Sequence, residues 1–292
     1  MYRLLILIIC VVFANVSTAA ISVFDDDGNQ VLLDAPAKRV VSLSPGSTEL
    51  IFAAGGGDAV KGVVSYSDYP PAANTIPQVG SYNAVDIEKI LELNPDLIVA
   101  WKSGNPPLQI SKLKKLGLNV YVSEPRNFEN ITSTIHRLGV LLGTEKVADA
   151  AMEEFQLKLG LLKQRYAKEK SKPKTVFIQI WNEPLMTING DHLISKIVEF
   201  CSGRNIFHDV ESLTINLDAE TVLQKNPGVI LVSRDGKLGE QWLSFWKQWQ
   251  FVNAVKNQQL FAVNPDYLVR HTPRIINGIE QVCRSLQPHI SD

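Results

Sequence analysis

Apolar residues along this chain follow two alternating patterns. Some form short unbroken runs bounded by Gly, Pro, Asn or Asp, and others recur every three or four positions over longer stretches. The unbroken runs at 39–44, 61–65, 97–101, 119–122, 175–181, 229–233 and 259–263 predict buried strands. Helical spacing predicts helices from 45 to about 54 and over 108–116, 128–142, 193–201, 241–256 and 274–286. Ser47 is a candidate cap for the first of these, and Gly55-Gly56-Gly57 stops it. Residues 21–34 predict a hairpin around Asp26-Asp27-Gly28-Asn29, while 66–71 with its paired prolines, 182–191 and Gly203 predict loops and a turn.

Two helix-loop-strand units repeat one another. Asp86-Ile-Glu-Lys-Ile-Leu-Glu-Leu-Asn-Pro-Asp-Leu-Ile-Val99 and Asp218-Ala-Glu-Thr-Val-Leu-Gln-Lys-Asn-Pro-Gly-Val-Ile-Leu231 share Asp, Glu, Asn and Pro at one offset (220 − 88 = 132). Each reads as an Asp cap, a short helix, an Asn-Pro break and a buried strand, because proline cannot continue the helix. Four matched landmarks indicate a duplicated α/β unit. Between the copies, from Thr144 as cap, a helical pattern through Val147, Ala150, Ala151, Phe155, Leu159 and Leu162 runs to about Lys170. A helix of about 25 residues would be about 37 Å long, too long to cross one small sheet, and so predicts a strut. The expected fold class is therefore α/β: two similar lobes with mainly parallel sheets, joined by one long rigid helix. Expected boundaries are a signal peptide over 1–20, a first lobe with its hairpin over 21–143, the linking helix over 144–172 and a second lobe over 173–292.

The first 20 residues differ in kind. Arg3 precedes an apolar run from Leu4 to Ala14, and small residues lead to a cleavage site near Ala19 or Ala20. The run is short of the roughly 20 residues that span a bilayer. Export would leave Cys201 and Cys283, an even pair that reads as a disulfide, with two separately buried thiols as the alternative. A net charge of −1, with no basic run, excludes nucleic acid as an expected partner.

Catalytic patterns are sparse. The five histidines are scattered, and none has a second ligand at metal spacing, so no metal site is expected. There is no Gly-x-Ser-x-Gly elbow, and Gly55–Gly57 lacks the Lys-Ser/Thr of a phosphate loop. Trp181-Asn182-Glu183-Pro184 resembles the acid/base signature of retaining glycosidases. That chemistry needs a second carboxylate about 5 Å away, for which Asp235 and Asp266 are candidates, and a fold of eight β-α units. More distinctive are the aromatic residues in or beside the predicted strand-to-helix loops: Tyr66, Tyr69, Tyr82, Trp101, Trp181 and Tyr267, with Trp242, Trp246 and Trp249 close by in sequence. Ligands bind beyond the carboxyl ends of strands in open α/β sheets, and rings there suit a bulky, flat, largely apolar ligand.

At these residues the chain resembles a known family. Arg39-Val-Val-Ser-Leu-Ser-Pro-Gly-Ser-Thr-Glu-Leu50, Ser65-Tyr-Ser-Asp-Tyr-Pro-Pro71 and Asn94-Pro-Asp-Leu-Ile-Val-Ala-Trp101 look like the periplasmic cobalamin-binding proteins of bacterial ABC importers. Cys201-Ser-Gly-Arg-Asn-Ile-Phe207 and Arg270-His-Thr-Pro-Arg274 do too, so that the resemblance covers roughly 38–287. It implies a monomeric, non-enzymatic carrier with little hinge motion, cobalamin held between the lobes as transported ligand and no resident cofactor. By position, Tyr66 would pack on the corrin and Asp266, Tyr267, Leu268, Val269 and Arg270 would meet it from the second lobe. Tyr82, Trp101, Phe207 and Trp246 are further correspondences. Glu88 and Glu220 match carboxylates that dock each lobe on the membrane permease, although acids in a first turn also favour the helix dipole. The Cys201–Cys283 bridge is a family feature as well. The chain departs from the pattern at Tyr82, where the family often has Trp, in the run Tyr267-Leu268-Val269 and in its added hairpin. Siderophore and haem carriers share the Asn-Pro-Asp strand and are the alternative reading; a glycosidase acting through Glu183 is the distant one.

Overall fold

The computed structural model describes residues 20–166 and 172–288. The expected signal peptide, apart from Ala20, lies outside the described residues, as do 167–171 of the expected linking helix. The chain opens with the hairpin β1 (Ile21–Phe24) and β2 (Gln30–Leu33). The first lobe follows as β3 (Val40–Ser42), α1 (Pro45–Ala53), β4 (Val60–Gly62), β5 (Gly80–Ser81), β6 (Ala84–Val85), α2 (Ile87–Glu92), β7 (Leu97–Trp101), α3 (Pro107–Lys115), β8 (Val120–Ser123) and α4 (Phe128–Leu142). The long α5 (Glu145–Tyr166) leads to β9 (Lys174–Gln179), β10 (Met186–Ile188), α6 (Leu193–Phe200), β11 (Gly203–Asn205), β12 (Thr214–Asn216) and α7 (Ala219–Lys225). Then come β13 (Val229–Val232), α8 (Gly236–Trp246), α9 (Asn253–Lys256), β14 (Leu260–Ala262) and α10 (Ile275–Leu286).

Each lobe is built on one four-stranded parallel sheet. The first has the order β4-β3-β7-β8 and the second β11-β9-β13-β14. Read by order of appearance within the lobe, both are second-first-third-fourth, so the two are copies in topology as well as in sequence. The strands carrying the repeated Asn-Pro motif, β7 and β13, occupy the same third place in two separate sheets. Both Asn residues are left-handed, Asn94 at φ 44° and Asn226 at φ 43°. Asparagine tolerates this conformation better than other residues with a Cβ, which accounts for its presence at both turns. Asp86 and Asp218 cap α2 and α7, accepting from the backbone N–H of Lys89 and Thr221.

Helix α5 has 22 residues and so is about 33 Å long. It lies along α4 and reaches α10, and one apolar core runs from the first lobe through Phe155, Leu162 and Tyr166 into the second. The Thr144 hydroxyl donates to the Ala54 carbonyl and ties the start of α5 to the end of α1. The hairpin tip grips the outer strand β8: Val122 N–H donates to Asp25, Glu124 N–H to Asp26, and Arg137 pairs with Asp26 at 2.6 Å. An edge strand is thereby kept from pairing with another chain.

Three expectations need correction. The cap of α1 is Ser44, whose hydroxyl accepts from Ser47 N–H at 3.0 Å, with Pro45 in the first turn; Ser47 is inside the helix. The helix expected over 241–256 is two helices, because Trp246 is buried beneath the sheet and the chain must turn before Val252 and Val255 reach the same cluster. The stretches read as a loop at 182–191 and a turn at Gly203 contain β10 and the edge strand β11.

Candidate functional site

On the first lobe, aromatic side chains collect beyond the carboxyl ends of β7 and β4. Asn105 organises them while buried: its amide donates to the carbonyls of Leu43 at 2.8 Å and Tyr82 at 2.7 Å, and its oxygen accepts from Trp101 N–H at 2.6 Å. The ends of β3 and β7 and the β5–β6 turn are thus held together. The rings of Tyr82 and Trp101 lie 5.9 Å apart. Gly104 makes room for the indole, since a Cβ there would stand 1.8 Å from it. Tyr66 is 76% exposed and has φ 66°, a conformation that costs a non-glycine residue about 1 kcal/mol or more.

The second lobe contributes a separate aromatic wall. Trp181, just past β9, is exposed, and its ring meets Trp242 of α8 edge-on at 6.4 Å. With Glu183, Arg234, Leu238 and Phe245 they line a cavity of about 430 Å³ at the carboxyl ends of β9 and β13. Of the residues expected from this lobe, Asp266, Tyr267 and Val269 are accessible. Phe207, Trp246 and Leu268 are not: all three are fully enclosed. Phe207 and Trp246 pack on Phe177 in the lobe's own core, with Trp246 Nε1–H donating to Gln179 at 2.8 Å, so they cannot touch a ligand on the surface. Arg270 is 9% exposed, and its guanidinium is engaged by carboxylates.

Those carboxylates join the lobes. Arg270 pairs with Asp68 at 2.6 Å, Asp266 at 2.9 Å and Glu49 at 3.1 Å. Glu49 also accepts from the Thr272 hydroxyl at 2.7 Å and from Arg274 at 2.6 and 3.0 Å. Burial alone pushes the Asp68 carboxyl up, but its bond and charge attraction to Arg270 outweigh this and hold it below the ordinary value. For Asp266 burial wins over the attraction of Arg270, helped by repulsion from Asp68, and its carboxyl is raised. Beside this cluster His271 donates from Nδ1 to the Pro125 carbonyl at 2.7 Å, and its ring meets His192 at 5.1 Å. Burial pushes His271 down to about 4 although the bond to Pro125 favours its charged form. His192 is lowered by burial, then by the charges of His271 and Arg126.

Glu88 and Glu220 are exposed in the first turns of α2 and α7, at matched places in the two lobes, and neither forms an ion pair among the described residues. Cys201 and Cys283 are bonded, with Cα atoms 4.7 Å apart, and join the end of α6 to α10. Glu183 is exposed in a loop of an open four-stranded sheet, and the eightfold barrel that a glycosidase of its signature requires is absent among the described residues. No group of His, Cys, Asp or Glu with metal-binding geometry occurs among the described residues. Asn105, Glu49, Arg234 and Phe245 were not singled out by sequence. For Glu49 the available signal was a carboxylate directly before the apolar run Leu50-Ile51-Phe52.

The family model described as periplasmic binding protein matches residues 40–267. The vitamin B12-binding protein of Vibrio cholerae is 38% identical over 253 residues, which cover 86% of this chain and 90% of that protein. Its counterpart in Yersinia pestis is 36% identical over 250 residues, 86% of each chain. The crystal structure of the periplasmic vitamin B12 binding protein BtuF of Vibrio cholerae superposes with a TM-score of 0.80 at 37% identity, covering 88% of this chain and 99% of that one. The haem-binding protein RhuT from Roseiflexus sp. RS-1 shares the fold with a TM-score of 0.75 at 21% identity, over 87% of this chain and all of that one. With this family match across most of its length and these relatives, the chain belongs to the periplasmic binding protein family.

Proposed function

We propose that this protein is exported to the periplasm, captures cobalamin or a related corrinoid in the cleft between its lobes, and delivers it to the permease of an ABC importer. The observation that carries the reading is the first lobe's aromatic set, exposed Tyr66 and Tyr82 with the half-buried Trp101 beside Tyr82, in a chain 38% identical to a vitamin B12-binding protein. Rings held at strand ends offer flat apolar area at little entropic cost, which suits a corrin. From the second lobe the accessible partners are Asp266, Tyr267 and Val269. Glu88 and Glu220, exposed and symmetric, are the docking carboxylates for a permease with basic residues on its outer face. Helix α5 serves as the strut that keeps both surfaces in register.

Titration with cyanocobalamin in a calorimeter tests the proposal: saturable heat with one ligand per chain is expected. No heat, together with saturable binding of haem or a ferric siderophore, would replace the corrinoid by the other ligand class of this fold.

A further inference from the structure

We propose that Glu49 is the positioning residue of the ligand site. This buried carboxylate of the first lobe gathers Arg270, Thr272 and Arg274 of the second, and so fixes the aromatic and acidic side chains where the lobes meet. The inference rests on the inter-lobe site proposed above and assigns the residue that sets its shape.

Glu49 sits one turn inside α1, whose N-terminus is already capped by Ser44, so helix formation does not call for it. Its side chain is 2% exposed, and a carboxylate buried without partners is strongly destabilising. The four hydrogen bonds it accepts all come from residues 221 to 225 positions later in the chain, in the other lobe. Three charge-assisted bonds and one from a hydroxyl converge on its two oxygens, and Arg274 grips it through both Nε and Nη2 in the fork geometry that only arginine provides.

The groups fixed in this way belong to the site surface. The Arg274 guanidinium stands 4.0 Å above the ring of Tyr69 from the first lobe and 5.5 Å from the ring of Tyr267 from the second. One cation thus orients an aromatic residue of each lobe. Arg270, anchored on Glu49, carries Asp68 on one nitrogen and Asp266 on the other, again one from each lobe. Tyr69, Asp68, Asp266 and Tyr267 are all accessible, whereas Glu49 and Arg270 beneath them are not. Glu49 therefore acts through two arginines on four residues that a ligand can reach, and prepares them before it arrives.

The test is Glu49→Gln, which keeps the shape but sets an amide N–H₂ against arginine donors. The expected result, at a temperature where circular dichroism shows the variant folded, is about tenfold weaker binding of cyanocobalamin. The double variant with Arg274→Met should lose less affinity than the sum of the two single-variant losses, because the Glu49–Arg274 link is removed in both. Affinity within twofold of wild type, or additive losses, overturns the proposal and leaves Glu49 a staple for stability alone. If Glu49→Gln does not fold, Arg274→Lys takes its place: it keeps the charge, loses the fork, and is expected to weaken binding; unchanged affinity overturns the proposal equally. If the wild-type protein binds no cyanocobalamin, the proposed ligand fails separately. Glu49 is then judged by amide hydrogen exchange, where faster exchange in 65–70 and 264–272 of Glu49→Gln is expected and unchanged exchange in both loops overturns the role.

Discussion

At the scale of single residues, the site holds side chains in states that folding alone would not choose. Tyr66 combines a left-handed backbone with a ring left in solvent. A Tyr66→Gly variant removes the backbone strain, so its melting temperature is expected to equal or exceed that of wild type by the equivalent of about 1 kcal/mol. Cyanocobalamin affinity should fall by about tenfold in calorimetry; unchanged affinity would remove Tyr66 from the site. His192 and His271 are half-buried, and desolvation of their rings holds both neutral. His271 titrates near 6.5 in the unfolded chain and near 4 in the folded one, so between about 4 and 6.5 the unfolded state binds more protons and stability rises with pH; His192, also lowered, acts in the same direction. The stabilisation from His271 is complete above about pH 6.5 and is lost as pH falls, by up to about 1.4 kcal/mol per pH unit. His271→Gln retains a donor for the Pro125 carbonyl and should flatten that slope by about one proton's worth in urea unfolding at pH 7, 6 and 5. A slope identical to wild type would show that His271 does not carry it.

At the scale of elements, strands and long helices were legible because their signals are local. Helix α4 was read at its observed bounds; in the structure Asn127 caps it and Gly143 ends it at φ 67°. The element signals that failed depended on partners elsewhere. Strand β11, Gly-Arg-Asn, has little strand propensity and exists because β9 pairs with it in parallel. The break between α8 and α9 follows from anchoring Trp246 on Gln179, and from Asn226 of the repeat motif accepting Asn253 N–H at 2.8 Å at the start of α9. The disulfide between α6 and α10 spans 82 residues, for which chain entropy sets an upper bound of about 4 kcal/mol. Replacing both cysteines by alanine should lower the melting temperature by about 10 °C. A smaller change would mean that packing of α6 on α10 already holds the loop.

At the scale of the whole molecule, the duplicated unit places an exposed acid at matched positions of the two lobes, Glu88 and Glu220, which is the basis of the docking role proposed for them. Charge reversal at Glu88 or Glu220 is expected to leave cyanocobalamin affinity within about twofold of wild type while reducing uptake through the reconstituted importer, because each carboxylate is exposed in a helix first turn and is assigned to docking, not to the ligand. Loss of ligand affinity in either variant would place these acids in the binding site instead. The inter-lobe cluster around Glu49 and the continuous core along α5 join the lobes at two levels.

The sequence by itself determined the two-lobe α/β plan, the long helix and the matched acids. Each of these is encoded in spacing along the chain or in a repeat, which survives without knowledge of contacts. Only the tertiary structure decided which aromatics are wall and which are core. Trp246 and Trp181 look alike in sequence, yet one is sealed under a sheet and the other stands in solvent. Exposure depends on what covers a side chain, and the covering residues come from strands and helices far away in the chain. The same holds for Arg270 and Glu49, 221 residues apart: a buried ion pair is a property of two surfaces meeting, and nothing in either segment alone requires the other.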